Sequence, residues 1–574
     1  GEEGDKLCAK YLSRAANVAQ LCRYCLCPTM WTSHICYKVK YKTEPMIKKL
    51  VEKQNLVKLK AMSQQNIQNA FYGLPFGLHD ECGIHGATPL DMLHLLLLGI
   101  FKYIRDIFFE QLGKCSKVSS EIDALATKYG ELFQHQSDRD MPKTKFSKSI
   151  IGGKVMAKEY CGIMLLLDVV LQSTNGRKIL TKNKKFVEDN GIQNWTLLVE
   201  TLLTWEVFLK KDRIEQELVR KMDLKHRIIM NFIKQVSPRV GNNMEWNIMK
   251  FHQILHIVDD IKKNGVLMNT DTGSNESHHI IDKRGAMLTQ KNLEVFEEQL
   301  ATRLKEFELL DLAMEEIQND KLLWDYYLKI GDQGGMEDVS ENPVPDVPKG
   351  VITGTLFEIF WNNEKQVVDW KAPSQPGKYD GRTWNKELLE YLFGLQEELK
   401  EFVPNVPIWT EFKKEGYIFH GHPLYREKRH WNDWVMIDWG TNCGILPCEI
   451  WCFVDLSFLT SQFVLPYKES WVQQGVFAVV ESAYYPEEEE TQIHSDLITR
   501  IRKNCTETTN DGGVLNRKFF LADTEAIVGP TVVVPDIGST NDTYFEVASR
   551  SKWADLFEKW LKSDRQFDRD TIRD

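Results

Sequence analysis

The chain has 574 residues, 43% of them hydrophobic and 27% charged, with a formal net charge of −10. That length suits roughly two to four domains, and the balance excludes a wholly disordered chain in favour of a folded, soluble protein. The longest apolar run, Leu95 to Phe101, contains Gly99 and falls well short of the ~20 residues of a membrane span, and the N-terminus has no signal-peptide pattern.

The first residue is Gly1 rather than Met, so the chain is expected to begin inside a longer reading frame. Of twelve cysteines, five fall in the first 36 residues, a clustering that suits metal binding in a reducing compartment better than a disulfide scaffold. Cys22-x-x-Cys25 leads this group, with Cys27, His34 and Cys36 close behind. Two cysteines at that spacing can direct both thiolates at one tetrahedral Zn(II), and a closed site needs four ligands. Cys22, Cys25, Cys27, His34 and Cys36 are therefore the expected metal residues, with His79, Cys82 and His85 as further choices for the remaining pair. Unligated thiols are the alternative.

Leu90 to Leu112 is apolar at helical spacing and opens with Asp91-Met92-Leu93-His94. A carboxylate in the first turn is favoured by the helix dipole, and His94 follows one turn on. Ala157–Ser173, Trp195–Lys210 and Asp212–Val236 also read as helices, packing by their apolar stripes. Lys210, Lys211, Arg213, Arg220, Lys221, Lys225, Arg227 and Lys234 crowd one stretch. They are the expected phosphate-contacting surface, the alternative being a solvated face paired with Asp212, Glu215 and Glu217.

Next comes Phe251-His252-x-x-x-His256-x-x-Asp259-Asp260. Its histidines and one aspartate share a helical face. This reads first as the solvated polar edge of a core helix and second as a metal site. Glu276 follows in a polar segment at the start of a new helix. Thr289 is the expected N-cap of a helix from Gln290 to Asp320, along which Leu293, Phe296, Leu300, Leu304 and Phe307 recur.

Gly331 to Gly350 is rich in Gly, Pro and acid and reads as a linker. Beyond it, Val351–Trp361, Trp434–Trp439, Gly444–Leu456, Gly475–Ser482 and Thr531–Pro535 are short β-branched or aromatic runs, with helices expected at Trp384–Phe402 and Lys552–Lys562. They suggest a small antiparallel β-barrel or sandwich. Charge divides at the same place. Residues 1–330 carry 47 Lys and Arg against 41 Asp and Glu, a net of +6, and the remainder carries 25 against 41, a net of −16. A polyanion would meet positive potential only in the N-terminal part, so residues 351–574 suit a protein partner or oligomerisation.

The order of these stations resembles that of CACTA-like and Plavaka-like DDE DNA transposases. The matching pieces are Cys22 and Cys25, FYGLPFG at Phe71–Gly77, LDMLHLLLLGIF at Leu90–Phe101 and KFHQILHIVDDIKKNG at Lys250–Gly265, with Glu276 where the family's catalytic glutamate falls. The resemblance covers roughly residues 5–315. It implies an incomplete ribonuclease H-like domain in residues 1–112, a helical insertion in 113–266, the return of the glutamate helix in 267–330, a linker in 331–350 and an accessory β-rich α+β domain in 351–574. The fold class is thus multidomain, mainly α and then β-rich.

The resemblance further implies DNA strand cleavage and transfer with Mg(II) or Mn(II), a nuclear location and transposon ends as the DNA partner, in an oligomer of like chains. Glu276 would be a catalytic carboxylate, with Asp91 and His94 in support. The family's first two aspartates precede its Cys-x-x-Cys, where this chain offers only Glu2, Glu3 and Asp5, and the Arg-Trp pair usual before the glutamate is missing from Val266–Asp271. The chain alone is therefore expected to be catalytically incomplete. A non-catalytic, transposon-derived DNA- or protein-binding protein is the alternative, and a zinc-containing adaptor with a chromatin-type barrel is a third reading.

Overall fold

The computed structural model describes most of residues 22–320 and 351–563. Outside the description lie 1–21, 321–350, 564–574 and internal stretches, of which 75–81, 134–140, 273–283, 380–405, 456–462 and 487–494 are among the longest. Glu276, His79 and the helix expected at Trp384–Phe402 fall in those stretches.

The described residues of 22–320 are helical, with no strand longer than an isolated bridge. In chain order the helices are α1 (Glu44–Glu52), α2 (Leu56–Ala61) and α3 (Lys102–Leu112), the last continuing a π-helical segment at Leu93–Phe101. Then come α4 (Lys117–Leu132), α5 (Glu159–Gln172), α6 (Thr174–Leu180), α7 (Lys184–Glu188), α8 (Gly191–Leu209) and α9 (Gln216–Val236). α10 (Met249–Gln253) passes through a 3-10 turn at Ile254–His256 into α11 (Ile257–Asn264).

Local chemistry sets these boundaries. The Ser116, Ser173 and Asn183 side chains cap α4, α6 and α7 by accepting from Ser119, Gly176 and Phe186 backbone N–H groups. α5 is buried at every position and α8 along nearly all its length, as expected of helices apolar all round. Gly99 lets α10 approach the π-helical segment, because a Cβ there would lie 3.0 Å from the Lys250 side chain and 2.8 Å from the His94 carbonyl.

Residues 351–563 supply an antiparallel sheet of thirteen strands. The main ones are β1 (Val351–Asn362), β2 (Val367–Ala372), β3 (Gln375–Tyr379), β4 (Val406–Lys414), β5 (Tyr417–Tyr425), β6 (Arg429–Asn432), β7 (Trp434–Asp438) and β8 (Ile445–Asp455). They continue with β9 (Val476–Tyr484), β10 (Ile498–Lys503), β11 (Phe520–Asp523), β12 (Ile527–Pro535) and β13 (Thr543–Val547). The pairings β8–β9–β10–β13–β12–β7–β8 close a ring of six as in a small barrel, and the sheet runs on from β8 through β4, β1 and β2 to β3. A last helix, α13 (Arg550–Lys562), starts at the Ser549 cap.

The chain groups into two compact units. Residues 348–574 group with residues 1–269 in one compact unit, and Thr270–Val347 forms a second. One core contains Trp195, Leu198 and Phe208 of the helices together with Val532, Phe545, Trp553 and Phe557 of the C-terminal region. The Phe208 and Phe557 rings lie 5.1 Å apart, and Thr174 donates through N and Oγ1 to Asp536 at 2.8 Å each. The acidic β-rich region is thus built into the helical body, not appended to it.

In the second unit the helix α12 spans Phe296–Asn319. Thr289, expected as its cap, donates its hydroxyl to Ala286 O (2.8 Å) instead.

Candidate metal centre

The site begins in a short antiparallel hairpin. Leu26 N–H donates to Lys40 O (2.9 Å), Lys42 N–H donates to Tyr24 O (2.8 Å), and Cys25 bridges Tyr41. Lys42 is fully buried, and its ammonium donates to Cys22 O (3.0 Å) and Met62 O (3.2 Å), fixing the arm that carries the first cysteine. The intervening loop is tied to the helices: Ser33 N–H donates to Asn247 Oδ1 (3.1 Å), Lys234 to Ser33 O (3.4 Å) and Arg227 to Ile35 O.

Opposite the hairpin, His252 lies in the last turn of α10 and His256 ends the 3-10 turn. All four side chains are buried, and their ligand atoms lie within 4.8 Å of one another. Cys22 Sγ is 3.3 Å from His256 Nε2, Cys25 Sγ is 3.1 Å from His252 Nε2, and the two Nε2 atoms are 3.2 Å apart. A tetrahedron with Zn–S of about 2.3 Å and Zn–N of about 2.0–2.1 Å has edges of roughly 3.3–3.8 Å. The cluster is slightly tighter than that and needs only a small expansion to hold the ion.

Hydrogen bonding to Cys22 draws the Cys25 thiol down, but Cys27 and burial outweigh it and push the thiol up to about 12. A divalent cation would reverse this by taking the thiolates as ligands. Cys22 and Cys25 would balance its charge, and His252 and His256 would complete the shell as neutral imidazoles. Tyr24, Tyr37 and Tyr41 wall the imidazoles, with ring centroids 5.3–5.8 Å from them.

The ligand set expected from sequence is corrected in its second half. Cys22 and Cys25 stand as paired, but Cys27, His34 and Cys36 are outside the cluster. Cys27 is buried beside Cys25 and donates to Pro28 O (3.5 Å). His34 is exposed and stacks on Trp31, and Cys36 is exposed. Cys82 is half-buried, and His85 is a buried imidazole held down to about 4 by burial and by Lys42. His252 and His256, read first as a solvated polar edge, are core residues. Asp259 and Asp260 are not ligands. Asp259 accepts from the Tyr41 hydroxyl, and Asp260 accepts from Leu90 N–H (3.0 Å) and Asn264 (2.9 Å).

The other expected sites fare differently. Asp91 pairs with His94 through Oδ2 and accepts from Leu93 N–H (3.2 Å) through Oδ1, which is how a capping carboxylate behaves. Glu276 lies outside the described residues. Among the described residues, the cluster of two thiols and two imidazoles is the group with metal-ligand spacing. Such donors do not suit Mg(II) or Mn(II), which prefer oxygen ligands.

The expected phosphate surface is largely consumed within the molecule. Lys210 pairs with Glu206, Lys211 with Glu558 (2.7 Å), Lys221 with Glu217 (3.5 Å) and Arg227 with Asp223 (3.0 Å). Lys225 is buried, donates to Ser563 O (3.1 Å) and sits 4.4 Å from the Trp560 ring centroid. Arg213 and Arg220 are exposed. Three of these partners, Glu558, Ser563 and Trp560, come from the far end of the chain, where sequence proximity cannot show them.

No protein-family model matches the chain, and a search of curated proteins finds no relative. No described helix is long and apolar enough to cross a membrane.

Proposed function

We propose that this chain is a zinc-stapled region of a CACTA-like or Plavaka-like DDE DNA transposase, acting in the nucleus on the ends of its own element. One observation carries the reading. The metal cluster joins the Cys-x-x-Cys hairpin to the Lys250–Asn264 helix, and Asp260 of that helix accepts from Leu90 at the head of the Asp91 segment. Three stations that the resemblance puts in order along the chain therefore meet at one place. The staple would hold the helix leading to Glu276 against the segment that follows the second aspartate of the family pattern. Zn(II) has a structural role here, because four protein ligands leave no open position for substrate. A ribonuclease H-like frame, Mg(II) or Mn(II) at Glu276 and self-association belong to this proposal.

The runner-up, a non-catalytic transposon-derived interaction protein, draws on the internal use of Lys211, Lys225, Arg227 and Lys234. The deciding experiment is a Mg(II)- or Mn(II)-dependent nicking and strand-transfer assay on DNA bearing the element's ends. It compares residues 1–574, a chain extended upstream, and the extended chain with Glu276→Gln. Activity confined to the extended chain and abolished by the substitution is expected. An inactive extended chain, or one indifferent to Glu276→Gln, overturns the enzyme reading.

A further inference from the structure

We infer that Tyr41 is a positioning residue of the metal centre, selecting through Asp259 the tautomer in which His256 binds the ion. This rests on the zinc reading of the cluster. The Tyr41 hydroxyl has one proton, and it is committed to the Asp259 carboxylate, which can only accept. Facing His256, Tyr41 Oη is left as an acceptor, 3.4 Å from Nδ1. His256 is thereby held with its proton on Nδ1 and its lone pair on Nε2, the atom aimed at Cys22 and His252.

The backbone builds this relay from both sides of the site. The hairpin register that bridges Tyr41 to Cys25 brings the phenol to the ligands, and Asp259 follows His256 by three residues, one helical turn on. Lys263 lies 4.5 Å from the Tyr41 ring centroid, on the turn after Asp259. His252 is treated differently: its buried Nδ1 has no partner among the described residues. The two imidazoles are therefore unequal, with His256 oriented by an outer shell and His252 by ring packing against Tyr37 and His256. Outer-shell partners of this kind typically change metal affinity by roughly 10–100-fold when removed.

The test is titration of the full metal-free chain with Co(II), followed by competition with Zn(II). The wild-type chain should take up one Co(II) with tetrahedral d–d and thiolate charge-transfer bands, and Cys22→Ser should abolish them. If wild type gives no such bands, the zinc reading itself fails. Given those bands, Tyr41→Phe keeps the ring that packs on His256 and removes only the hydroxyl. It should weaken binding by roughly 10–100-fold and shift the d–d envelope. Asp259→Asn should weaken binding in the same direction, and it decides the question if Tyr41→Phe does not fold. Tyr37→Phe, on the ring beside His252, should bind like wild type. Affinity within about twofold of wild type for both Tyr41→Phe and Asp259→Asn, or an equal loss in Tyr37→Phe, overturns the inference.

Discussion

Cys25 and His252 stand 227 positions apart in the chain, and their ligand atoms lie 3.1 Å apart. Two elements that sequence presents as unrelated motifs are halves of one site. If the site holds zinc, the wild-type chain purified without chelator carries one ion, and Cys25→Ser or His252→Ala carries none by elemental analysis. Structural zinc contributes on the order of 10 kcal/mol in small folds, so chelation should lower the melting temperature and expose the Cys22–Tyr41 hairpin to protease. Identical melting curves with and without chelator would rule out a structural role.

The basic stretch gives a second prediction, about stability and not affinity. Lys225→Ala removes a buried cation held by the Ser563 carbonyl and the Trp560 ring. A loss of about 1–3 kcal/mol is expected. The exposed Arg213→Ala and Arg220→Ala should fall within about 0.5 kcal/mol of wild type. Denaturant unfolding separates them. A stable Lys225→Ala chain with a reduced salt slope of DNA binding would return Lys225 to the phosphate-contacting set.

Asp168, in the middle of α5, gives a pH signature. Burial raises its carboxyl from 3.8 to about 7, the Gln172 hydrogen bond offsetting only part of that, and Oδ2 is buried without a partner among the described residues. The folded state therefore holds a proton that the unfolded chain releases near pH 4. Between about pH 4 and 7 the native state binds more protons, so stability falls as pH rises and levels off above the folded value. Asp168→Asn should flatten that decline, which amounts to a few kcal/mol across the window. A wild-type slope retained in the variant would assign the pH dependence elsewhere.

Inside the C-terminal region, Lys503 contacts Glu449 and Glu481 at 2.6 Å each, beneath Trp434 and Tyr544. Both carboxylates hold its ammonium well above the ordinary lysine range, against burial. Lys503→Met would strand two acids in the barrel wall, at a cost of about 3–5 kcal/mol. The triple change Lys503→Met, Glu449→Gln and Glu481→Gln should recover much of it. Thermal unfolding checks both, and a Lys503→Met chain as stable as wild type would mean that the triad is solvated.

Sequence by itself determined the helical character of residues 90–264, the β-rich character after residue 351, the α13 segment and the Cys22–Cys25 pair. Each rests on short-range chemistry: apolar spacing, β-branched runs, and two thiols three residues apart. It also presented His252 and His256 at the spacing of a metal pair. What it could not supply was burial. An i, i+4 histidine pair followed by two aspartates has the same pattern on a wet helix edge as in a core. Only tertiary packing placed the pair against the hairpin and turned Asp259 to Tyr41 and Asp260 to Leu90. The same reason explains the cations between Lys210 and Lys234. Their charge is legible in the chain, but Glu558, Ser563, Ser33 and Ile35 become their partners only when distant segments fold together. The union of the barrel with the helices is likewise decided by long-range burial, in which Phe557 meets Phe208 across 349 positions of chain.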